Sequence, residues 1–84
     1  MNRKQRATLE RIFADRTPSD LAWRDIEGLF RALGATVSEG RGSRMRVELN
    51  HRRATFHRPH PSPLTDKGAI KAVRTFLENA GVRP

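Results

Sequence analysis

The sequence contains no cysteine, which excludes disulfides and thiolate metal centres and leaves the fold to stand on packing alone; the absence fits a reducing compartment. No stretch approaches the roughly 18 apolar residues of a membrane span, and the opening MNRKQRATLERIF lacks the apolar core of a secretory signal. The expected setting is the cytoplasm, with no membrane partner. No internal repeat, low-complexity tract or linker composition splits the 84 residues. A chain this short buries only about 60% of the surface it exposes when unfolded, which leaves no room for a large enclosed active site. Acidic residues are scarce as well: nine Asp and Glu face seventeen Lys and Arg, a net charge of +8. Most of the cations are arginine, whose planar guanidinium grips phosphate through two parallel hydrogen bonds. Such a balance points to a polyanionic partner, and nucleic acid is the commonest one.

What the chain does have is a hydrophobic period that changes along its length. Leu9, Ile12 and Phe13 share one face of a short amphipathic helix expected over Arg3 to Ala14. Thr17-Pro18-Ser19-Asp20 offers turn and N-cap chemistry for a second helix, whose start falls between Ser19 and Arg24. Its stripe is Ile26, Leu29, Phe30 and Leu33, with Gly34 closing it. Trp23, the only tryptophan, reads as an anchor against the core edge. The period then becomes alternating. Ala35 to Val37 is a short strand, Glu39 to Ser43 a glycine-rich turn, and Met45, Val47 and Leu49 alternate with Arg44, Arg46 and Glu48. Asn50-His51 makes a two-residue hairpin turn, and Arg52 to His57 is the return strand. That turn fixes the register: Leu49 opposite Arg52, Glu48 opposite Arg53, Val47 opposite Ala54, Arg46 opposite Thr55, Met45 opposite Phe56 and Arg44 opposite His57. A slip of one residue would turn Phe56 outward.

The chain leaves the sheet through Arg58-Pro59-His60-Pro61-Ser62-Pro63, a stiff connector that cannot continue a ladder. Thr65 or Asp66 caps a last helix with the stripe Ile70, Val73, Phe76, Leu77 and Ala80, closed by Gly81. The expected fold is α+β: a three-stranded antiparallel sheet with two helices packed on one face, plus an extra N-terminal helix. Residues 1–84 are expected to be a single domain, with 1–18 an extension and 19–84 the core.

Such a sheet leaves its second face open to solvent. Near it lie Arg41, Arg44, Arg46, Arg52, Arg53 and Arg58, together with Ser43, His57 and His60, against Glu39 and Glu48 as the only acids close in sequence. Phosphate attraction follows. Histidine adds proton transfer near neutrality, and attack of an RNA 2′-hydroxyl on the adjacent phosphate needs a base, an acid and a cation. His57 and His60 have the spacing of half a zinc site, yet no third or fourth ligand lies close in sequence, so neither a metal nor a cofactor is expected. Gly40 to Ser43 reads GRGS, but it lies between strands and does not open a helix, so it is a turn and not a phosphate loop.

The runs GLFRALG (28–34), GRGSRMRVELNHRRATFHRPHP (40–61) and KAVRTFLENAG (71–81) resemble the HicA family of small toxins in bacterial toxin–antitoxin pairs, over roughly Leu21 to Val82. The resemblance implies a fold like the double-stranded-RNA-binding domain, metal-independent cleavage of messenger RNA, and neutralisation by a HicB-like antitoxin. One departure matters: Arg44 stands where the family usually carries its catalytic histidine, and arginine is too basic to accept a proton. The expectation is His57 as base, His60 as acid or phosphate-orienting partner or else the counterpart of the family's structural His-Pro, and Arg44 as phosphorane stabiliser. RNA would be gripped by Arg41, Ser43, Arg46, Arg52, Arg53 and Arg58. Two other readings stay open, a noncatalytic RNA-binding module on the same fold and a protein-interaction domain that docks an acidic antitoxin-like partner.

Overall fold

A computed structural model describes residues 1–84. The side chain of Asn2 accepts the amide of Gln5 while the Gln5 side chain accepts that of Asn2, and this reciprocal cap starts α1 (Arg3–Ile12). Helix α1 buries Thr8, Leu9 and Ile12 and packs against α2 and α3. Helix α2 (Trp23–Ala32) has no side-chain cap. The expected cap at Ser19 or Asp20 does not form, because the helix starts later and puts Ala22 in the cap position; the Asp20 carboxylate pairs with the Arg11 guanidinium. What holds the start of α2 is the proline-rich connector: the Trp23 amide donates to the Pro63 carbonyl at 3.0 Å, and the Thr65 amide to that of Leu21 at 2.9 Å.

The sheet comprises β1 (Thr36–Glu39), β2 (Arg44–Leu49) and β3 (Arg52–His57), antiparallel and in the order β1-β2-β3. Strand β1 runs two residues past the expected Val37, so the turn shortens to Gly40–Ser43. All six β2–β3 pairs fall in the register read from the sequence. Asn50 and His51 both adopt positive φ, 50° and 68°, as the hairpin turn matching strand twist requires. The Asn50 amide group also donates to the Ala80 carbonyl at 2.8 Å, tying the turn to the end of α3 (Lys67–Asn79). Asp66 caps that helix by accepting the Ala69 amide. Helices α2 and α3 end alike, with Gly34 and Gly81 at φ 87° and 81° and the next amide returning to the carbonyl of Phe30 or Leu77.

One hydrophobic cluster of 16 buried residues joins all the helices to one face of the sheet, through Met45, Val47, Leu49 and Phe56. At its centre Trp23, Phe30, Phe56 and Phe76 pack ring against ring, with centroids 5.7 to 6.4 Å apart. The opposite face of the sheet carries no helix. This is the α+β architecture read from the sequence, and no helix is long and apolar enough to cross a membrane.

Candidate functional site

Side chains alternate across a strand, so the register sorts the polar residues by face. Three rows look out from the open side. Nearest the hairpin turn stand Thr36, Glu48 and Arg53; in the middle, Ser38, Arg46 and Thr55; at the far end, Arg44 beside His57. In that last row β1 contributes only Gly40, whose amide donates to the Arg44 carbonyl at 2.9 Å. A Cβ on residue 40 would lie 3.1 Å from the Arg44 Cβ, so glycine is what lets the chain pass so close beneath the Arg44 side chain.

The Arg44 guanidinium donates through Nε–H to Nε2 of His57 at 3.3 Å. Arginine has no lone pair to offer, so in this arrangement His57 carries its ring proton on Nδ1 and presents Nε2 as an acceptor. The Ser43 carbonyl takes the Arg58 amide at 2.9 Å and adds one rung beyond the pair. Arg41, Gly42, Ser43, Arg44 and His57 line a shallow cleft of about 430 Å³. A lone pair able to accept a proton thus lies beside guanidiniums able to hold a phosphate.

Alternation also removes some residues from this face. Arg58 follows His57 and turns to the helix side, where Nη1 and Nη2 grip both oxygens of Glu39 at 2.6 and 2.7 Å and Nε donates to Glu27 at 2.6 Å. Those two acids push its pKa further up, the Glu39 hydrogen bonds foremost, and the same bonds hold the Glu39 carboxyl below its ordinary value. Arg58 therefore clamps α2, β1 and the start of the connector, and its donors face carboxylates rather than the open side. Glu27 was not singled out by sequence reasoning. It lies four residues after Trp23, whose Nε1–H it also accepts at 2.7 Å, and that helical spacing was the one signal available. Arg52 pairs across from Leu49 and so belongs to the helix side too, exposed at the rim. Arg53 is on the open face but lies 3.5 Å from Glu48. His60 is exposed on the connector, makes no hydrogen bond and does not line the cleft. Of the expected site residues, Arg41, Ser43, Arg44 and His57 line one cleft, Arg46 and Arg53 stand beside it on the same open face, and Arg52, Arg58 and His60 lie apart from it. No three His, Asp or Glu side chains come close enough to hold a metal ion together.

A family model described as the HicA toxin of bacterial toxin–antitoxin pairs matches residues 23–82. The chain belongs to the HicA toxin family. The match runs from the first residue of α2 to just past α3 and takes in the whole sheet, so α1 lies outside it. The α-β-β-β-α order of the matched part is compatible with a double-stranded-RNA-binding-domain-like fold, and membership of this HicA family makes the chain a toxin of the toxin–antitoxin kind. Neither curated proteins nor solved structures yield a match.

Proposed function

We propose that this HicA toxin is a metal-independent ribonuclease that cleaves messenger RNA in the cytoplasm at the row formed by Arg44 and His57. The observation that carries the reading is the 3.3 Å contact between Arg44 Nε and His57 Nε2 in a cleft that also holds Arg41 and Ser43. An incoming phosphate draws the Arg44 guanidinium into a two-point grip and so frees Nε2. The imidazole then takes the proton of the 2′-hydroxyl as its oxygen attacks phosphorus. The bond from phosphorus to the 5′-oxygen breaks, that oxygen takes a proton from solvent, and a 2′,3′-cyclic phosphate and a 5′-hydroxyl result. Arg44 and Arg41 offset the charge on the phosphorane. The step needs no second imidazole, and His60 has no part in it. A HicB-like antitoxin would silence the toxin by covering this row.

The second reading, a noncatalytic RNA-binding module, is favoured by a specific observation: the cleft holds one histidine, not two. Incubation of the purified protein with single-stranded RNA in excess EDTA separates the two. The ribonuclease yields fragments with cyclic phosphate ends; RNA left intact at micromolar protein rejects it in favour of the binding module.

A further inference from the structure

The middle row of the open face is built like an anion seat, and the cleavage step does not use it. Arg46 is paired directly with Ser38 on one side and Thr55 on the other, which sets one arginine between two hydroxyl-bearing residues. All three are exposed. Arg46 enters no ion pair, whereas Arg53 in the next row is spent on Glu48. Ser38, Arg46 and Thr55 help line a shallow concavity of about 510 Å³ on the twisted sheet, bounded at one end by Glu48 and Arg53. Along β2, Arg46 lies two residues from Arg44, a step of about 6.8 Å, comparable to that between successive phosphates of an extended single strand. Two residues further on the same line comes Glu48, paired with Arg53, so that row offers phosphate no free cation.

We infer that Ser38, Arg46 and Thr55 form a second phosphate subsite, which holds the linkage next to the one at Arg44, so that a single RNA strand runs along β2 and its phosphate track ends at Glu48. The inference rests on the ribonuclease reading only in naming the linkage at Arg44 as the scissile one. Two hydroxyls and a guanidinium in one concavity supply hydrogen-bond donors for a phosphate. The unpaired state of Arg46 means that no ion pair has to be broken on binding.

The test uses a 2′-fluoro tetranucleotide, which lacks the nucleophile and cannot be cut, with an uncharged methylphosphonate placed at each of its linkages in turn. Affinity is read by fluorescence anisotropy for wild type, Arg44→Gln, Arg46→Gln and the pair Ser38→Ala with Thr55→Val. Arg46→Gln should weaken the unmodified strand about tenfold and flatten the log–log salt slope by about 0.7. That loss should vanish for one methylphosphonate position only, adjacent to the position that abolishes the Arg44→Gln effect. The hydroxyl pair should give a smaller loss with the same positional pattern. Loss of equal size at every position, or no loss, overturns the subsite. Cleavage of the corresponding all-ribose strand is scored separately: a two-phosphate footprint without cleavage keeps the subsite and rejects the ribonuclease, and cleavage without the footprint does the reverse.

Discussion

The nitrogen that would accept a proton from RNA is the one that Arg44 already donates to. A guanidinium has no second protonation state to offer near neutrality, so in the proposed reaction substrate phosphate, by competing for Arg44, would couple binding to the release of the base. The neighbouring Arg58 works in the opposite sense, since its partners are fixed within the protein. It joins the end of β3 to Glu39 and Glu27 and thereby holds His57 opposite Arg44. Because Glu39 has its folded pKa held below the ordinary carboxylate value by Arg58, the clamp contributes stability that is full above the unfolded value of about 4.3 and is lost as pH falls through the lower folded one. Thermal unfolding of wild type and Glu39→Gln should therefore differ at pH 7 and converge on acidification below about pH 4; a constant difference across that range would contradict the clamp. The pairing of Arg44 with His57 was legible in the sequence because both lie inside the alternating run. Arg58 lies one residue past it, and its partner Glu27 belongs to a helix far away in the chain, so proximity in sequence suggested an open-face cation where packing makes a buried-side clamp.

At the scale of elements, the hairpin decides which side chains face outward. Its register was readable because the two-residue turn at Asn50-His51 sets the alignment and a slip of one residue would bring Phe56 out of the face that buries Met45, Val47 and Leu49. The end of β1 was not readable: its residues are mostly exposed, so no apolar alternation marks where pairing with β2 stops. The start of α2 was hidden for a different reason, as a backbone bond from Trp23 to Pro63 replaces the side-chain cap that a sequence can display. The turn itself depends on Asn50, which tolerates positive φ and anchors to Ala80. Asn50→Ala should cost about 1–2 kcal/mol, measured by urea unfolding, from the lost hydrogen bond and the left-handed backbone. An unchanged midpoint would mean that the hairpin is held by its strands alone.

At the scale of the molecule, a domain of this size has about 4–13 kcal/mol of stability to lose, and α1 contributes to it although the family match excludes that helix. Leu9 and Ile12 are completely or almost completely buried, and Arg74 of α3 donates to the carbonyls of Ile12 and Ala14, both at 2.9 Å, where helix α1 ends with unpaired acceptors. Ile12→Ala should cost about 2–5 kcal/mol and lower the unfolding midpoint as a core substitution does; a change below about 0.5 kcal/mol would show α1 to be an appendage. The amphipathic stripe of α1 was evident in the sequence, but its attachment through Arg74 was not, since that contact spans some sixty residues. The core that results leaves one face of the sheet to carry arginine and a single well-placed imidazole. Single-turnover cleavage of one defined RNA by wild type and by His57→Ala, at equal binding and with the same unfolding midpoint, tests that arrangement most directly. The rate should fall by about 10²–10⁴-fold, and a rate within about twofold of wild type would contradict the assignment.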